Sequence, residues 1–457
     1  MKILLIYPNI IESPKDISHG LAQLSSILKK EDHEVQLIDY TFKPTKKEII
    51  NKVKNFNPDI IGVTIATNDK ENALNILRLI KPYTNAKIMG GGFHATIAPE
   101  DLIKEEIING VCLGEGEQAF LEFVNNLQHK KKISNIKNLW YKTPQGLVKN
   151  EIRKLIQDLD LLPFPDKSLF YYQKYIDHNR GLATFITSRG CPYQCSYCIN
   201  KTLQNIYKGE KYTRFHSIDY LIKEIKEVIT KYKVKEIEFY DDTFTLDKER
   251  IKEFVDVYPK EIGLPFYINA RVNAVTKEDF LLLKKAGCVR VSIGIESGDE
   301  KIRNEVLNRN MSNEQIIETF RWAKEAKLKT YSFNMIGMPF ETINSIKKTI
   351  KINQIIQPDF IGVSLFNAFK GTEIYNLCEK NNLIKNKTAK SYFRESNVKS
   401  ISEKKLQKIR ESFGFHVYKY KRPFRATIDL IDKKFSKYPE IQKIKESLLK
   451  YGIRKFI

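Results

Sequence analysis

The chain has no apolar run that approaches the length needed to cross a bilayer. Its opening, Met1-Lys-Ile-Leu-Leu-Ile-Tyr-Pro8, is also too short an apolar run for a secretory leader, and it reads instead as a first buried strand. Only six cysteines occur in 457 residues, three of them within one loop, which is no disulfide framework. A reducing, cytoplasmic setting is therefore expected. No G-x-G-x-x-G turn follows any strand-like run, which disfavours NAD or FAD. Acidic residues are scarce against basic ones, with 77 Lys/Arg to 55 Asp/Glu and a net charge of +22. Half of that surplus falls in 399–457, which holds 17 Lys/Arg and six Asp/Glu. Such a field suits anionic partners such as phosphorylated substrates, acidic lipid headgroups or nucleic acid. The alternative is a chain-wide use of lysine that gives only solvated helix faces.

What the chain does have is Cys191-Pro-Tyr-Gln-Cys195-Ser-Tyr-Cys198. Three thiols spaced C-x3-C-x2-C turn toward one point from a single loop. Iron–sulfur clusters are normally held by four thiolates, so three suit a [4Fe–4S] cluster with one iron left open for a substrate or cosubstrate. Buried or zinc-binding cysteines are the competing reading. Zinc sites usually draw four ligands from paired spacings, and no partner pair is present.

The pattern around this loop is α/β. In 1–130, strand-like runs at 2–7, 34–40, 60–66, 86–92 and 110–114 alternate with helix-like stretches near 20–31, 46–56, 70–83, 101–108 and 117–128, which predicts a doubly wound, Rossmann-like parallel sheet. Glycines mark its ligand-bearing edge at Gly90-Gly91-Gly92-Phe93-His94 and Gly114-Glu115-Gly116-Glu117. Residues 131–180 read as a small hairpin at 139–148 and a proline-rich connector. Across 181–394, strands at 183–188, 235–240, 265–271, 289–295, 330–336 and 360–367 alternate with helices near 217–231, 247–258, 276–286, 312–326 and 341–355. Six such units predict a partial barrel, open on one side, with its chemistry at the strand ends. Residues 395–457 form a basic, mostly helical extension dotted with Phe and Tyr. It is expected to cap the barrel's open side, or else to meet anionic lipid as an interfacial segment.

The cysteine spacing and its flanks resemble the radical S-adenosylmethionine (radical SAM) superfamily, in which the open iron chelates the amine and carboxylate of SAM. The resemblance runs through six elements over about 190 residues. It implies that Cys191, Cys195 and Cys198 hold the cluster and that Tyr197 packs on the adenine. Asp241 and Asp242 in Tyr240-Asp-Asp-Thr-Phe244 would receive the SAM amine, unless one caps the next helix. Arg214 would serve the cluster loop or a carboxylate. Arg271 would hold the SAM carboxylate, or form a barrel salt bridge to Glu296 or Asp241. Ser292, Glu296 and Ser297 in Ser292-Ile-Gly-Ile-Glu-Ser-Gly298 would face the ribose. Gly337 in Ile336-Gly-Met-Pro-Phe-Glu341 belongs to the adenine side. The ending Asn367-Ala-Phe-Lys-Gly-Thr-Glu-Ile-Tyr375 has Lys370 where the family has proline.

Residues 1–130 look like the cobalamin-binding domain of B12-dependent radical SAM proteins, through Tyr7-Pro8, Gly20-Leu21, Gly62-Val-Thr64, the Gly90–His94 loop, Pro99-Glu100 and Gly114–Glu117. By that resemblance Thr64, Gly90, Gly91, Gly92 and His94 would line the cavity for the nucleotide tail, with Gly114 and Gly116 at the neighbouring strand end. The D-x-H-x-x-G motif that supplies a lower-axial histidine is absent, since Asp16 and His19 are wrongly spaced, so cobalamin would bind base-off with no protein histidine below it. His94 as an ordinary loop residue, and a purely structural first domain, remain open.

The implied reaction is reductive cleavage of SAM to a 5′-deoxyadenosyl radical, fed by a one-electron reductant such as flavodoxin or ferredoxin. With cobalamin present, the product would be a C-methylated small-molecule, lipid or natural-product substrate. A cobalamin-free radical SAM enzyme performing cyclisation, rearrangement or oxidation is the main rival. A tRNA methylthiotransferase would need a second cysteine trio in the N-terminal domain, which has only Cys112, so nucleic acid is not an expected partner. A non-enzymatic binding module sits poorly with three cluster cysteines. Cys112, Cys288 and Cys378 carry no assignable role.

Overall fold

Unbroken apolar runs such as Ile3–Ile6 suit strands covered on both faces, and that is where they lie in the computed structural model, which describes residues 1–9, 16–385 and 395–435. The first region runs β1 (Lys2–Tyr7), α1 (His19–Lys30), β2 (Glu34–Asp39), α2 (Lys46–Phe56), β3 (Ile60–Thr64), α3 (Lys70–Ile80), β4 (Lys87–Gly91), α4 (Phe93–Ile97), α5 (Pro99–Ile103), β5 (Gly110–Cys112), α6 (Glu117–Gln128), β6 (Leu139–Thr143) and β7 (Gly146–Lys149). Its sheet has the order β2-β1-β3-β4-β5-β6-β7, with β1 to β5 parallel. One core joins Leu4, Ile6, Val53, Ile61, Leu77, Ile88 and Val111.

Two expectations need correction here. The helix expected near 101–108 is instead the short α5, which starts at Pro99 and ends at Ile103, and an unexpected α4 precedes it; Ala98 separates the two, because a residue before proline is driven out of the helical region and Pro99 then opens a new first turn. The hairpin at 139–148 is no detached linker: β6 pairs antiparallel with β5 and β7 with β6. A three-residue edge strand would otherwise present unpaired backbone groups, and the hairpin covers them.

The second region continues α7 (Tyr172–His178), β8 (Leu182–Phe185), β9 (Ser188–Arg189), α8 (Ile199–Ile206), β10 (Arg214–Phe215), α9 (Ile218–Lys231), β11 (Glu236–Phe239), α10 (Lys248–Glu261), β12 (Phe266–Ala270), α11 (Lys277–Lys285), β13 (Cys288–Glu296), α12 (Asn313–Glu325), β14 (Lys329–Ile336), α13 (Ile343–Ile356), β15 (Phe360–Leu365) and α14 (Glu373–Lys380). β8 and β11 to β15 make the six-stranded parallel half-barrel sheet, ordered β15-β14-β13-β12-β11-β8. The run expected as one strand at 183–188 is split, and β9 turns aside to pair with β10 around the cysteine loop. Capping boxes at Thr45/Glu48, Thr276/Asp279 and Ser312/Gln315 start three of the helices.

Contacts group the chain into two units. The first comprises Met1–Phe244 with Lys252–Phe266 and Phe369–Asn376, and the second comprises Thr245–Ile251, Tyr267–Ala368 and the chain from Leu377. Within the first, the connector is tied by a buried lysine: Lys167 Nζ donates to Glu224 Oε1 (2.9 Å) and Thr184 O (3.2 Å) and lies 3.6 Å from the Phe185 ring centroid. Within the second, α15 (Glu403–Tyr418) and α16 (Pro423–Phe435) bury Leu406, Phe413, Val417 and Ala426 against Ile336, Ile346, Val363 and Leu365. Arg410 Nε donates to Val363 O on β15, the edge strand (3.0 Å). The extension is helical as expected as far as Phe435, and 436–457 lie outside the described residues. Among the described residues no helix is long and apolar enough to cross a membrane.

Candidate cofactor-binding site

In the first unit the cysteine loop begins at Gly190 (φ +85°), where a side chain would run into Tyr212 O at 2.7 Å. Cys195 is buried, while Cys191 and Cys198 are half-buried. Cys198 is the N-cap of α8, and its N–H donates to Cys195 O (3.0 Å). Gln204 of α8 reaches back to Cys191 O (2.6 Å) and Tyr193 O (3.2 Å), so the helix fastens the loop that precedes it. Asn200 Nδ2 donates to Cys198 Sγ (3.5 Å) and Asp242 Oδ2 (2.9 Å). The ending motif, within the same unit, is strapped across: Ile374 N donates to Ser196 O (3.0 Å) and Thr202 Oγ1 to Gly371 O (2.8 Å).

Among the described residues no three His, Cys, Asp or Glu side chains converge as they would around one metal ion. Burial, ahead of the nearby Asp242 and Cys195, pushes the Cys198 thiol up to about 11, so a metal must displace its proton on binding. Tyr197 is half-buried on the loop.

The adjacent carboxylates divide their work. Asp241 is buried, and its Oδ1 accepts from Thr187 N (3.1 Å), Thr187 Oγ1 (3.0 Å) and Ser188 Oγ, which fastens the end of β11 to that of β8. Asp242 is the accessible member of the pair, and desolvation by the surrounding protein raises its pKa. Asp242 is thus the more exposed of the two carboxylates expected to receive the SAM amine, while Asp241 Oδ1 holds the backbone that follows β8.

At the edge of the first sheet the glutamates, not the glycines, form the principal contacts. Arg214, 3 % exposed, grips Glu115 with both terminal nitrogens (3.1 and 2.7 Å) and also donates to Ile156 O (2.6 Å). Arg189 reaches Glu115 Oε1 (3.1 Å) and Glu117 Oε1 (2.6 Å). The arginines hold the Glu115 carboxyl below its usual range against the opposing effect of burial. Gly114 (φ +64°) leaves room for the Tyr207 hydroxyl, whereas a side chain at Gly116 would meet only ordinary contacts. Gly90 makes way for Leu102, and Gly92 (φ +89°) for Thr64 Oγ1 and Ile65; Gly91 faces open space.

His94 is engaged by the protein itself. It is 2 % exposed, with Nδ1 at 3.1 Å from Thr67 Oγ1 and Nε2 at 3.2 Å from Asp101, so neither ring nitrogen is left for a ligand. Asp101 is itself bound by Lys70 (2.9 Å) and Lys104 (2.8 Å) and faces Lys370 at 3.7 Å, the residue that departs from the family's proline. His19 Nε2 lies 3.0 Å from Asp16 and 3.2 Å from Thr184 Oγ1, so that nitrogen is engaged internally. A bulky polar ligand beyond the strand ends nevertheless fits. Besides open Gly91, the buried Asp69 Oδ1 and Tyr207 Oη have no hydrogen-bond partner among the described residues. Desolvation lifts Asp69 to about 6.

In the second unit β13 ends in a register shift at Gly294/Glu296, and Glu296 takes φ +63°, a left-handed backbone that a non-glycine residue adopts only under constraint. Its carboxylate folds back over Gly294, where a Cβ would collide with Oε1, and lies 3.6 Å from Arg309 NH1. Burial raises the Glu296 pKa against the charges of Arg309 and Arg271. Arg309 also donates to Gly294 O (2.7 Å), and its place beside Glu296 was announced by no sequence spacing. Arg271 gives Nε to Asn273 (2.8 Å) and NH2 to Arg309 O (2.6 Å), so it buttresses the arginine that faces Glu296. Ser292 is buried in β13. Ser297 is fully buried, its Oγ accepting from Asp299 N (3.2 Å) and its carbonyl from Arg303 (2.7 Å), so it shapes the turn. Gly337 (φ +88°) makes room for Leu406 of α15, and Glu341 Oε2 accepts from Gly337 N (2.6 Å) and Met338 N (3.2 Å).

Residues 185–352 match the radical SAM superfamily, and 17–124 match the B12 binding domain. An uncharacterized methyltransferase of Pyrococcus horikoshii is 32 % identical over 84 % of this chain and 84 % of its own length. The cytidylyl-2-hydroxyethylphosphonate methyltransferase of Streptomyces wedmorensis is 23 % identical over 74 % of this chain and 73 % of its own. The structure of the cobalamin-dependent radical enzyme OxsB, with aqua-cobalamin and S-adenosylmethionine bound, superposes with a TM-score of 0.74, covering 99 % of this chain and 75 % of that one at 19 % identity, which speaks to the fold alone.

Proposed function

The chain belongs to the cobalamin-dependent radical SAM enzymes, and from that premise we propose that it methylates an unactivated carbon of a small-molecule or lipid substrate. The observation that carries this reading is the bonded pair Arg189 and Arg214: they flank the cysteine loop and end on Glu115 and Glu117 of the B12-binding region, so two cofactor-bearing segments are fastened as one. The methyltransferase relatives support the choice among radical outcomes. When bound, the cluster supplies the electron that splits SAM, and cobalamin carries the methyl group.

In this reading Cys191, Cys195 and Cys198 hold the [4Fe–4S] cluster and Asp242 receives the SAM amine. Tyr197 and the Gly337 turn cover the adenine. Glu296 accepts from the ribose hydroxyls, and Arg271 acts through Arg309 to keep that carboxylate in place. Backbone at Thr64, Gly91 and Gly92 lines the nucleotide tail of a cobalamin bound base-off, a reading supported by the two engaged ring nitrogens of His94 and by the hold of Asp16 on His19 Nε2. The electron comes from a small protein reductant of the flavodoxin or ferredoxin kind. The basic surface favours an anionic substrate.

The test is anaerobic. The chain is reconstituted with iron and sulfide, given hydroxocobalamin, SAM and reductant, and its nucleosides are quantified by mass spectrometry. Cobalamin retained through desalting, with both S-adenosylhomocysteine and 5′-deoxyadenosine formed, is the expected result. Deoxyadenosine alone, with no cobalamin retained, would replace the reading with a cobalamin-free radical enzyme.

A further inference from the structure

Asn200, 6 % exposed, spends every polar hydrogen and its oxygen on three partners. Its Nδ2 lies 3.5 Å from Cys198 Sγ and 2.9 Å from Asp242 Oδ2, while its Oδ1 accepts from Tyr212 Oη at 2.7 Å. The partners settle which way the amide points: turned over, its oxygen would face a carboxylate and a sulfur, both acceptors. Tyr212 is held in place in turn, because Gly190 offers no side chain to displace it. A purely structural asparagine would be satisfied by the hydroxyl and the carboxylate. The bond to sulfur is the one with an electronic consequence, since hydrogen bonds to cysteinyl sulfurs are among the determinants of iron–sulfur potentials.

We propose that Asn200 sets the reduction potential of the cluster through an N–H···S hydrogen bond to Cys198, with Tyr212 as the positioning residue that keeps the amide turned toward the sulfur. This rests on the reading of Cys198 as a cluster ligand. The N–H dipole draws charge from the thiolate and favours the reduced cluster, which carries one more electron. Asp242 takes the second amide hydrogen, so one side chain joins the sulfur to the carboxylate assigned to the SAM amine.

The experiment is an anaerobic redox titration of the reconstituted full chain, followed by electron paramagnetic resonance, for wild type, Asn200→Leu and Tyr212→Phe. Asn200→Leu, at equal iron and sulfide content, is expected to move the midpoint to more negative potential and to lose an exchangeable-deuteron coupling seen in wild type after transfer to D2O. Tyr212→Phe should shift the midpoint the same way by less. An unmoved midpoint in fully loaded Asn200→Leu overturns the proposal. Should that variant not load, Tyr212→Phe decides, since it leaves Asn200 and the cysteines untouched, and an unmoved midpoint there overturns it equally. A wild-type chain that takes up no four-iron cluster removes the premise and the proposal together, and is recognised because it appears before any substitution.

Discussion

At the scale of single residues, the buried carboxyls give the sharpest expectations. Glu341 is pushed up to about 8 by burial, which outweighs the two backbone N–H groups it accepts from. A carboxyl raised above its unfolded value stabilises fully in acid, and that contribution is lost as the pH climbs toward 8. Glu341→Gln keeps the acceptor and removes the titration, so its melting temperature should depend less on pH between 5 and 8 than that of wild type. Thermal melts across that range check this. Glu115 is the opposite case, an ionised carboxylate shared by two arginines. Glu115→Gln leaves Arg214 buried with half its partner, and removing one member of such a pair costs on the order of 3 kcal/mol. Urea unfolding measures it, and a loss near zero would mean that the fork is incidental. The motif was visible in the sequence as glycines, yet the side chains that bond are the glutamates between them. Their partners lie far along the chain, 99 residues away in the case of Arg214, where no local pattern reaches.

At the scale of elements, the alternation of strands and helices was legible almost throughout, because the periods of two and 3.6 are written by local burial. The misplacements share one cause: a strand or helix end decided by a neighbour. Pro99 gave α5 an earlier start, a short β5 drew the hairpin onto its edge, and β9 left the barrel to pair with β10. The ending strap shows the same effect in the glycine it requires. Gly371 (φ +89°) would aim a Cβ at Ile97 O, so Gly371→Ala should lose roughly 1–2 kcal/mol from the left-handed backbone alone, with the collision added. The C-terminal helices depend on packing instead. Phe413 is fully buried, and Phe413→Ala is expected to destabilise by about 3–5 kcal/mol. Denaturant titration of both variants checks the two values.

At the scale of the whole molecule, the described part of the basic extension turns its apolar residues onto β15 and α13, so its first role is to complete a core. A chain truncated before 399 should melt earlier and aggregate, read by light scattering, rather than merely lose affinity for acidic vesicles. The sequence by itself determined what is local: three thiols in one loop, two α/β regions in order, and the strand-end motifs, because spacing and period need no distant partner. Only the tertiary structure decided which candidates are reachable. His94 is held by Thr67 and Asp101, His19 Nε2 by Asp16, one oxygen of Asp241 ties a strand end, and Ser297 is buried in a turn. Arg309 stands beside Glu296 and Asn200 beside Cys198. Whether a polar side chain is available depends on who else bonds it, and the chain's return to the same place in space settles that.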